Sequence, residues 1–423
     1  MSKIASVRGM NDLPPEEVRV WTIAEEVIKK VFNSYGYEEI RFPIVEKTEL
    51  FTRSNESADI VTKEMYTFED KGGDSISLRP EGTAGCVRAA IENDLVRIDS
   101  PRLWYQGPMF RYERPQKGRS RQFQQSSAEA FGIRSAEIDA ELIILSSRIW
   151  KELGILSNLN LEINNIGDEE TRQSYAKSLQ NYFKNYEEDL DEDSLRKLNE
   201  NPLRILDSKS DSIQSLLKKA PDISEFISKD SKNEFSELMR LLEDAGIKFS
   251  INTKLVRGLD YYNQTVYEWK SDLLGAQDTV CGGGRYDNLV EELGGKPCPA
   301  TGFSIGMERL ILLMKETLEF DIDNKNIDLF FVCLSKESIQ KAIMYSESLR
   351  EKTSKICIRI NMGLEGAGSQ FKKADKSGAK FALILGDDEL KNDTISLKDL
   401  RSKSDQETLS YDDLEKRINK TYK

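Results

Sequence analysis

The sequence predicts a large domain of mixed helices and strands that is interrupted by a helical module and followed by a separate small α/β domain. Three observations support this prediction. Residues 107–125 have the pattern of two half-buried strands around a basic turn, residues 170–245 are polar with helical stretches, and strands alternate with helices from residue 325 onward. We therefore place the first domain at 1–324, the helical insertion at 170–245 and the second domain at 325–423.

The chain opens with a predicted helix and an alternating segment. Residues 16–34 place apolar side chains near helical spacing and stop at Tyr35-Gly36, which predicts an amphipathic helix. Residues 37–51 alternate as a strand does. Pro43 within them indicates an edge or interface position, because proline lacks the N–H that an interior strand needs.

Residues 75–93 predict a strand that runs into a helix through the sequence Arg79-Pro80-Glu81-Gly82-Thr83. A carboxylate and a hydroxyl at this point can cap the first turn of the helix, where backbone N–H groups lack partners. The residues alone leave both a capping role and a ligand-binding role open for Glu81 and Thr83.

The same spacing rules predict the later elements. In the first domain we expect a helix at 136–154, strands at 159–164 and 249–269, and a glycine-spaced strand running into a helix at 300–314. In the second domain we expect strands at 327–334, 355–361 and 379–386, with helices at 336–352 and 369–378.

The predicted hairpin at 107–125 is strongly basic within an acidic protein. Pro115 to Gly118 supplies turn residues, and the only acidic residue of the stretch is Glu113. A basic tip of this kind indicates contact with a polyanion, although a solvated charged loop is the usual reason for such a run. The cationic residues are Arg111, Arg114, Lys117, Arg119 and Arg121.

Composition limits the function classes. The chain has 423 residues, of which 38% are hydrophobic and 32% charged, and its formal net charge is −12. The acidic excess lies in residues 1–324, so binding of nucleic acid has to be local and not a matter of bulk charge. Because no apolar run approaches the ~18 residues of a membrane span, and the first residues lack the apolar core of a secretory signal, we expect a cytoplasmic protein without a membrane partner.

The chain contains no histidine, which excludes Ser-His-Asp triads, Cys-His dyads and every histidine-ligated metal site. The five cysteines are scattered without a C-x-x-C pair, which argues against a disulfide framework and a cysteine zinc site. We therefore expect free thiols and no metal held by histidine or cysteine.

Several motifs together resemble the class II aminoacyl-tRNA synthetases. Pro43, Arg111 with Glu113, and Arg309 follow one another as in motifs 1, 2 and 3 of that class. The subfamily signal is stronger, because RPEGT at 79–83 and three further segments are similar to histidyl-tRNA synthetases over essentially the whole chain. Those segments are GPMFRYERPQKGRSRQF at 107–123, LVRGLDYYNQTVYEW at 255–269 and GGGRYDNLVEELGG at 282–295.

The resemblance implies an α+β catalytic domain, with an antiparallel sheet flanked by helices, and a C-terminal α/β anticodon-binding domain. It also implies ATP-dependent attachment of L-histidine to tRNA(His) through a histidyl-adenylate, with release of AMP and pyrophosphate. Amino-acid activation brings a carboxylate to a phosphate, so cationic groups have to gather where the charge builds. By the family pattern Arg111 contacts the α-phosphate, Arg309 the γ-phosphate, and Arg257 lies between the amino-acid carboxylate and the α-phosphate. Glu113 meets the adenine amino group, and Mg²⁺ helps to neutralise the leaving pyrophosphate.

The resemblance also places the amino acid and the tRNA. Glu81, Thr83 and Gln125 are expected to hold the α-amino group. The imidazole side is expected to involve Glu129, Tyr261, Tyr262 and Tyr286. The acceptor stem would meet Arg114, Gln116 and Arg119, the anticodon would meet basic residues such as Lys372, Lys373 and Lys376, and a homodimer would form through the Pro43 segment. Alternatively, Arg257 is a structural residue that forms a salt bridge with Asp260.

The chain departs from the family pattern around Gln124, where histidine is usual, and at Ser126-Ser127-Ala128, which replaces a more apolar run. We hypothesise that the lack of histidine lets the protein be translated when charged tRNA(His) is scarce; deliberate depletion or drift is the alternative. Two functional alternatives are a non-catalytic regulatory subunit of ATP phosphoribosyltransferase and a sensor that binds uncharged tRNA. The presence of Arg111, Arg257 and Arg309 disfavours the first, and histidine-dependent pyrophosphate exchange separates both from a ligase.

Overall fold

The computed structural model describes residues 3–55, 58–97, 100–208, 210–320, 327–353, 355–402 and 404–421. The chain divides into two compact units, Met1–Phe320 and Asp321–Lys423. The boundary that we predict between residues 324 and 325 lies outside the described residues.

Strands and helices are numbered in chain order. The strands are β1 Glu38–Glu39, β2 Val45–Lys47, β3 Tyr66–Glu69, β4 Ser75–Leu78, β5 Arg102–Phe110, β6 Gln122–Phe131, β7 Asn160–Asn165, β8 Ser250–Ile251, β9 Asn263–Lys270, β10 Thr279–Arg285, β11 Ala300–Gly306, β12 Leu329–Cys333, β13 Ile358–Ile360, β14 Phe381–Leu385, β15 Thr394–Asp399 and β16 Glu407–Ser410. The α-helices are α1 Pro15–Ser34, α2 Thr48–Ser54, α3 Asp59–Thr62, α4 Thr83–Glu92, α5 Ala136–Glu152, α6 Glu169–Phe183, α7 Glu192–Glu200, α8 Asp211–Leu217, α9 Lys229–Asp244, α10 Leu289–Glu292, α11 Met307–Thr317, α12 Lys336–Lys352, α13 Ala367–Lys376, α14 Asp387–Asn392 and α15 Tyr411–Thr421.

The first unit is built on a large sheet with the strand order β1-β5-β6-β11-β10-β9-β7-β8. Its interior pairings are antiparallel, and the short strands β1 and β8 add parallel at the two edges. Successive side chains of a strand point to opposite faces, so Trp104 packs with the helices α1 and α5 while Tyr105 belongs to the core on the other face. The second face carries the candidate site.

The helical insertion lies between β7 and β8 and contains α6 to α9. Its buried side chains, including Tyr175, Phe183 and Ile205, join the same apolar core as Tyr261 and Tyr286 of the first domain. The helices α6 to α8 therefore pack on the face of the sheet that carries the candidate site, whereas Leu238 and Leu242 of α9 belong to the core on the other face.

The segment 37–51 is not one interrupted strand, so that prediction is wrong. β1 pairs with β5 in the large sheet, whereas β2 pairs with β4 in a small sheet of order β2-β4-β3, and residues from Thr48 onward are helical. Pro43 lies where the chain leaves one sheet for the other. There the guanidinium of Arg79 donates to the carbonyls of Phe42 and Pro43 at 3.2 and 3.4 Å.

The predicted strand at 249–269 is also interrupted. Only Ser250–Ile251 and Asn263–Lys270 are strands, and the intervening residues form a loop fixed by tertiary contacts. The helix predicted at 16–34 and the hairpin strands within 107–125 are confirmed as α1, β5 and β6.

The second unit has a sheet of order β13-β12-β14-β15-β16, in which β12 pairs parallel with β13 and β14. The alternation predicted from residue 327 to 386 is confirmed. The sequence prediction stopped there, and the structure adds α14, the antiparallel strands β15 and β16, and α15. Within the described residues, no helix is long and apolar enough to cross a membrane.

Candidate active site

The antiparallel pairing of β5 with β6 extends to Phe110 and Gln122, and the residues between them form an irregular basic tip. Arg111 and Glu113 follow directly after β5, and Glu113 is buried. Arg114 and Gln116 are exposed at the tip. Arg119 instead turns back and forms an ion pair with Glu113, so it lines the cleft below the tip.

A cleft with about 730 Å³ of empty space lies between the hairpin, β10 and the start of α11. Three arginines from distant segments line it: Arg111 after β5, Arg257 in the loop before β9, and Arg309 in α11. Guanidinium groups stay charged and fork onto two oxygens, so they suit phosphate and carboxylate ligands. The structure thus brings together the arginines that the sequence analysis selected.

Each arginine is held by protein acceptors. Arg111 donates to the carbonyl of Pro80 at 2.8 Å, and Arg309 donates to the carbonyl of Thr279 at 2.7 Å and the amide oxygen of Gln277 at 2.8 Å. Burial lowers the pKa of Arg111, and burial together with the charges of Arg111 and Arg119 lowers the pKa of Arg309. This concentration of positive charge favours an anionic ligand.

Arg257 forms an ion pair with Glu268 of β9, not with Asp260. The alternative reading of Arg257 as a partner of Asp260 is therefore wrong, because Asp260 pairs with Arg204 at 2.6 Å. Burial works against the charge of Arg257, but Glu268, Tyr262 and Tyr261 together outweigh it and raise the pKa of the guanidinium. A Cβ at Gly282 of β10 would overlap this guanidinium, so the strand needs glycine where Arg257 crosses it.

Glu129 is the centre of a buried polar pocket on the same face of β6 as Gln125. Its carboxylate accepts hydrogen bonds from the hydroxyls of Thr83 and Tyr105 at 2.9 Å and of Tyr286 at 2.5 Å. Burial raises the pKa of Glu129 to about 8, although the three hydroxyl donors oppose the shift. A Cβ at Gly302 of β11 would overlap this carboxylate.

Aromatic rings and two further polar groups complete the pocket. The rings of Tyr261 and Tyr262 lie 5.7 and 6.4 Å from that of Tyr286. Glu81 accepts the backbone N–H groups of Thr83 and Ala84 at 2.6 and 2.9 Å, so it does cap α4. It is also buried, and burial raises the pKa of its carboxyl group.

Gln125 presents a free acceptor to this region. Its side-chain oxygen is buried without a hydrogen-bond partner, and the residue lines the cleft. A buried polar atom without a partner is costly unless a ligand satisfies it. Gln125 is therefore placed to accept a hydrogen bond from a bound molecule.

The comparisons with known proteins agree with this geometry. A family model described as histidyl-tRNA synthetase matches residues 9–310, and one described as an anticodon binding domain matches residues 328–421. The crystal structure of apo histidyl-tRNA synthetase from S. aureus is 35% identical, with 99% of this chain and 100% of that chain covered and a TM-score of 0.82. The chain belongs to the histidyl-tRNA synthetase family.

Two more distant structures show the same fold. The histidyl-tRNA synthetase from Nostoc is 23% identical over 100% of both chains, with a TM-score of 0.70. A protein from Bacillus halodurans, titled as an ATP phosphoribosyltransferase regulatory subunit/histidyl-tRNA synthetase, is 22% identical over 91% of this chain and 99% of its own, with a TM-score of 0.65.

Like other histidyl-tRNA synthetases, the protein is a histidine–tRNA ligase that attaches histidine to tRNA in an ATP-dependent reaction. The predicted fold class is confirmed: an α+β class II catalytic domain with a helical insertion, followed by an α/β anticodon-binding domain. The enzyme class predicted from the motifs is confirmed as well.

Sequence reasoning missed two polar residues of this histidyl-tRNA synthetase site. Tyr105 donates to Glu129, and strand alternation from Gly107 would have placed it on the pocket face. Glu308 lines the cleft and accepts the backbone N–H of Gln124 at 2.9 Å. Burial raises its pKa to about 7. It precedes Arg309 in the chain, but nothing in the sequence signals that it would be half-buried in the cleft.

The positions that depart from the histidyl-tRNA synthetase pattern are part of the central sheet. Gln124 is anchored through its backbone, and the hydroxyls of Ser127 and Ser304 are hydrogen bonded across the β6–β11 pair at 2.7 Å. Ser126 faces the other side of β6, where its buried hydroxyl has no hydrogen-bond partner. The Ser127–Ser304 contact lies within a β6–β11 pairing of regular register.

The basic residues proposed to read the anticodon lie on α13 and are exposed: Lys372, Lys373 and Lys376. Lys373 forms an ion pair with Glu365. All five cysteines are free thiols, and Cys357 alone among them is exposed. Among the described residues, no group of three or more His, Cys, Asp or Glu side chains is arranged to hold a metal ion.

Proposed function

We propose that this cleft activates L-histidine with ATP as histidyl-adenylate and then transfers the histidyl group to tRNA(His). The convergence of Arg111, Arg257 and Arg309 on one cleft beside the Glu129 pocket carries the proposal. In the first step a carboxylate oxygen of histidine attacks the α-phosphorus and the bond to pyrophosphate breaks. In the second a terminal ribose hydroxyl attacks the adenylate carbonyl, and AMP leaves.

Arg111 is proposed to bind the α-phosphate, Arg309 the γ-phosphate, and Arg257 both the carboxylate and the α-phosphate. The preorganised charges stabilise the transition state, since they lie in a partly buried cleft and do not have to reorganise during the reaction. Glu113 is proposed to accept the adenine amino group, and Arg119, which is paired with it, adds a further cation to the cleft. A phosphate oxygen of the adenylate takes the ribose proton, so no imidazole is required.

Glu129 is proposed to accept the imidazole N–H, with Tyr262 as the partner of the second ring nitrogen and Tyr261 and Tyr286 as walls. Glu81, Thr83 and Gln125 would accept the three N–H groups of the α-ammonium. A site that pairs both ring nitrogens rejects analogues without them by roughly 10⁴-fold, because its buried polar groups would be left unpaired. No editing step is then needed.

Mg²⁺ is proposed to enter with ATP. Magnesium commonly binds through one or two carboxylates and the phosphates of the substrate, and Glu308 is a carboxylate in the cleft lining that the proposal leaves for the ion. The absence of a larger acidic group among the described residues fits an ion held mainly by ATP. When bound, Mg²⁺ neutralises charge on the leaving pyrophosphate.

For the macromolecular partners, we propose that Arg114 and Gln116 at the exposed hairpin tip meet the acceptor stem and that the second unit binds the anticodon. The domain division at 1–324 and 325–423, with the insertion at 170–245, stays our proposal, and the two compact units support it. A homodimer through the Pro43 segment is supported by the exposed apolar side chains of Ile44, Val45 and Phe68. The cytoplasm, where tRNA is charged, is the proposed location.

Pyrophosphate exchange into ATP, measured across the amino acids, tests the proposal. We expect exchange to depend on histidine, and Arg257→Met to lower its rate by about 10²- to 10³-fold, since the variant loses a cation at the reacting phosphate. Arg148→Met, which removes an exposed arginine of α5, is the matched control. Full exchange in Arg257→Met, or exchange driven equally by another amino acid, would contradict the proposed roles.

A further inference from the structure

The loop that carries Arg257, Tyr261 and Tyr262 has no regular secondary structure, yet its residues have to be placed accurately. It runs from the end of β8 at Ile251 to the start of β9 at Asn263. A loop of this kind needs partners outside itself to fix its conformation. Four of its side-chain partners, Arg172, Asn201, Arg204 and Asp222, come from the helical insertion.

Asp260 makes the first contact between the loop and the helical insertion. Its carboxylate accepts Arg204 at 2.6 Å and Asn201 at 3.1 Å, both from the segment that follows α7. Its backbone N–H donates to the side chain of Asn55 at 3.0 Å. The Arg204 and Asp260 side chains are only 13% and 24% exposed, so solvent screens this pair less than a surface ion pair.

Two further contacts are made by Tyr262, at the end of the loop, with α6 and by Gln264, in β9, with the residues just before α6. Arg172 of α6 donates to the backbone carbonyl of Tyr262. Gln264 has a φ of 49°, which non-glycine residues rarely adopt, and its backbone pairs with Ile166 and Gly167 at 2.8 Å in both directions. The root of the insertion therefore holds the chain in an unusual conformation two residues after a pocket tyrosine.

We propose that the helical insertion sets the conformation of the histidine-binding loop, with Arg204 and Arg172 as positioning residues for Arg257, Tyr261 and Tyr262. The inference rests on the roles proposed above for those three residues. Arg204 and Arg172 do not line the cleft. They act through Asp260 and the Tyr262 carbonyl, and the apolar core of the insertion supports them because it is continuous with Tyr261 and Tyr286.

The coupling has a physical consequence for the reaction. Removing Arg204 takes away the guanidinium that lies 2.6 Å from the partly buried carboxylate of Asp260, and the loop relaxes as that carboxylate turns to other donors. A displacement of about 1 Å in a reacting or positioning group can lower a rate by about 10²-fold. The loss should fall on histidine and on the activation step, because Arg111 and Arg309, which are proposed to bind ATP, belong to other segments.

The test compares Arg204→Met with wild type in steady-state pyrophosphate exchange on the full chain. We expect kcat/KM for histidine to fall by about 10- to 100-fold, with the KM for ATP nearly unchanged. Arg240→Met, which removes an exposed arginine paired within α9 of the same insertion, is the matched control and should behave as wild type. The double variant Arg204→Asp with Asp260→Arg should recover part of the loss, because it restores the ion pair.

Three results would overturn the inference. These are unchanged histidine kinetics in Arg204→Met, a loss that affects tRNA charging but not exchange, and a loss explained fully by a smaller folded fraction in active-site titration. If Arg204→Met does not fold, Asp260→Asn tests the same pair at nearly constant size. Wild-type exchange that does not depend on histidine would instead overturn the proposed roles of the pocket, and this control separates the two failures.

Discussion

At the scale of the residue, Glu129 is proposed to bind the imidazole of histidine, and its burial lowers the free energy of unfolding as the pH rises. Its carboxyl group is buried under the hydroxyls of Thr83, Tyr105 and Tyr286, and burial raises its pKa to about 8 from an ordinary 4.5. Below pH 4.5 the group is protonated in both the folded and the unfolded chain, so its ionisation does not affect the free energy of unfolding. As the pH rises from 4.5 to 8 the unfolded chain releases the proton and the folded one keeps it, so the free energy of unfolding falls.

This linkage predicts that Glu129→Gln stabilises the protein at high pH while removing the proposed imidazole acceptor. A difference of one pKa unit between the folded and the unfolded chain changes the free energy of unfolding by up to about 1.4 kcal/mol. After the loss of some hydrogen bonding, we expect the variant to exceed wild type by roughly 1–3 kcal/mol in free energy of unfolding at pH 8. Chemical denaturation of both proteins at pH 5 and pH 8 measures the difference. A difference that does not grow with pH would contradict the shifted pKa.

The residues of the site were largely predictable, but their partners were not. The resemblance of the sequence motifs to the family pointed to Arg111, Arg257 and Arg309, and the structure places all three on one cleft. The pairing of Arg119 with Glu113 and of Arg257 with Glu268 depends on which acceptors the fold brings within reach. No local pattern encodes that choice, because the partners come from different strands or from a loop whose path the sequence leaves open.

At the scale of the element, strongly periodic segments were predicted well and segments governed by tertiary contacts were not. The helix α1 and the hairpin of β5 and β6 have the spacing of their structure in the sequence itself. The segment around Pro43 alternates like one strand but is divided between two sheets. Periodicity reports only which side of an element is buried, and it does not say against which sheet.

From the structure of the hairpin we predict that aminoacylation of tRNA and pyrophosphate exchange depend on different parts of it. Arg114 and Gln116 are exposed at the tip, whereas Arg111 and Arg119 line the cleft. We expect Arg114→Ala with Gln116→Ala to lower kcat/KM for tRNA(His) in aminoacylation by roughly 10- to 100-fold, about 1–3 kcal/mol, and to reduce its dependence on salt. Pyrophosphate exchange should stay within about 2-fold of wild type, since ATP and histidine are proposed to bind below the tip.

A neighbouring charge on the same tip provides the control for this experiment. Lys117 is exposed as well but is not among the proposed acceptor contacts. Lys117→Ala should weaken tRNA binding only by the general loss of one charge, equally for tRNA(His) and other tRNAs. If the double variant loses exchange activity to the same extent as charging, the tip is part of the ATP site and the separation is wrong.

At the scale of the whole molecule, the absence of histidine restricts where protons can be exchanged near neutral pH. An ordinary imidazole titrates between pH 5 and 8, and this chain has none. Carboxyl groups whose pKa is raised by desolvation lie near that range instead, such as the buried Glu129 at about 8 and the half-buried Glu308 at about 7. The proposed mechanism fits this limit, because its base is a phosphate oxygen of the substrate.

The same composition leads to a prediction about synthesis of the protein. A ligase that contains its own amino acid stalls during translation when that amino acid is scarce, whereas a histidine-free chain does not draw on charged tRNA(His). We expect a variant with Gln124→His, Lys232→His and Lys355→His to be made more slowly than wild type during histidine starvation and equally fast in rich medium. Lys232 and Lys355 are exposed, and Gln124 is held through its backbone, so the substitutions should be tolerated.

A variant with glutamine at 232 and 355 and asparagine at 124 controls for the substitutions themselves. Equal rates of pulse-labelled synthesis for all three proteins under starvation would leave drift or deliberate depletion as the account of the composition.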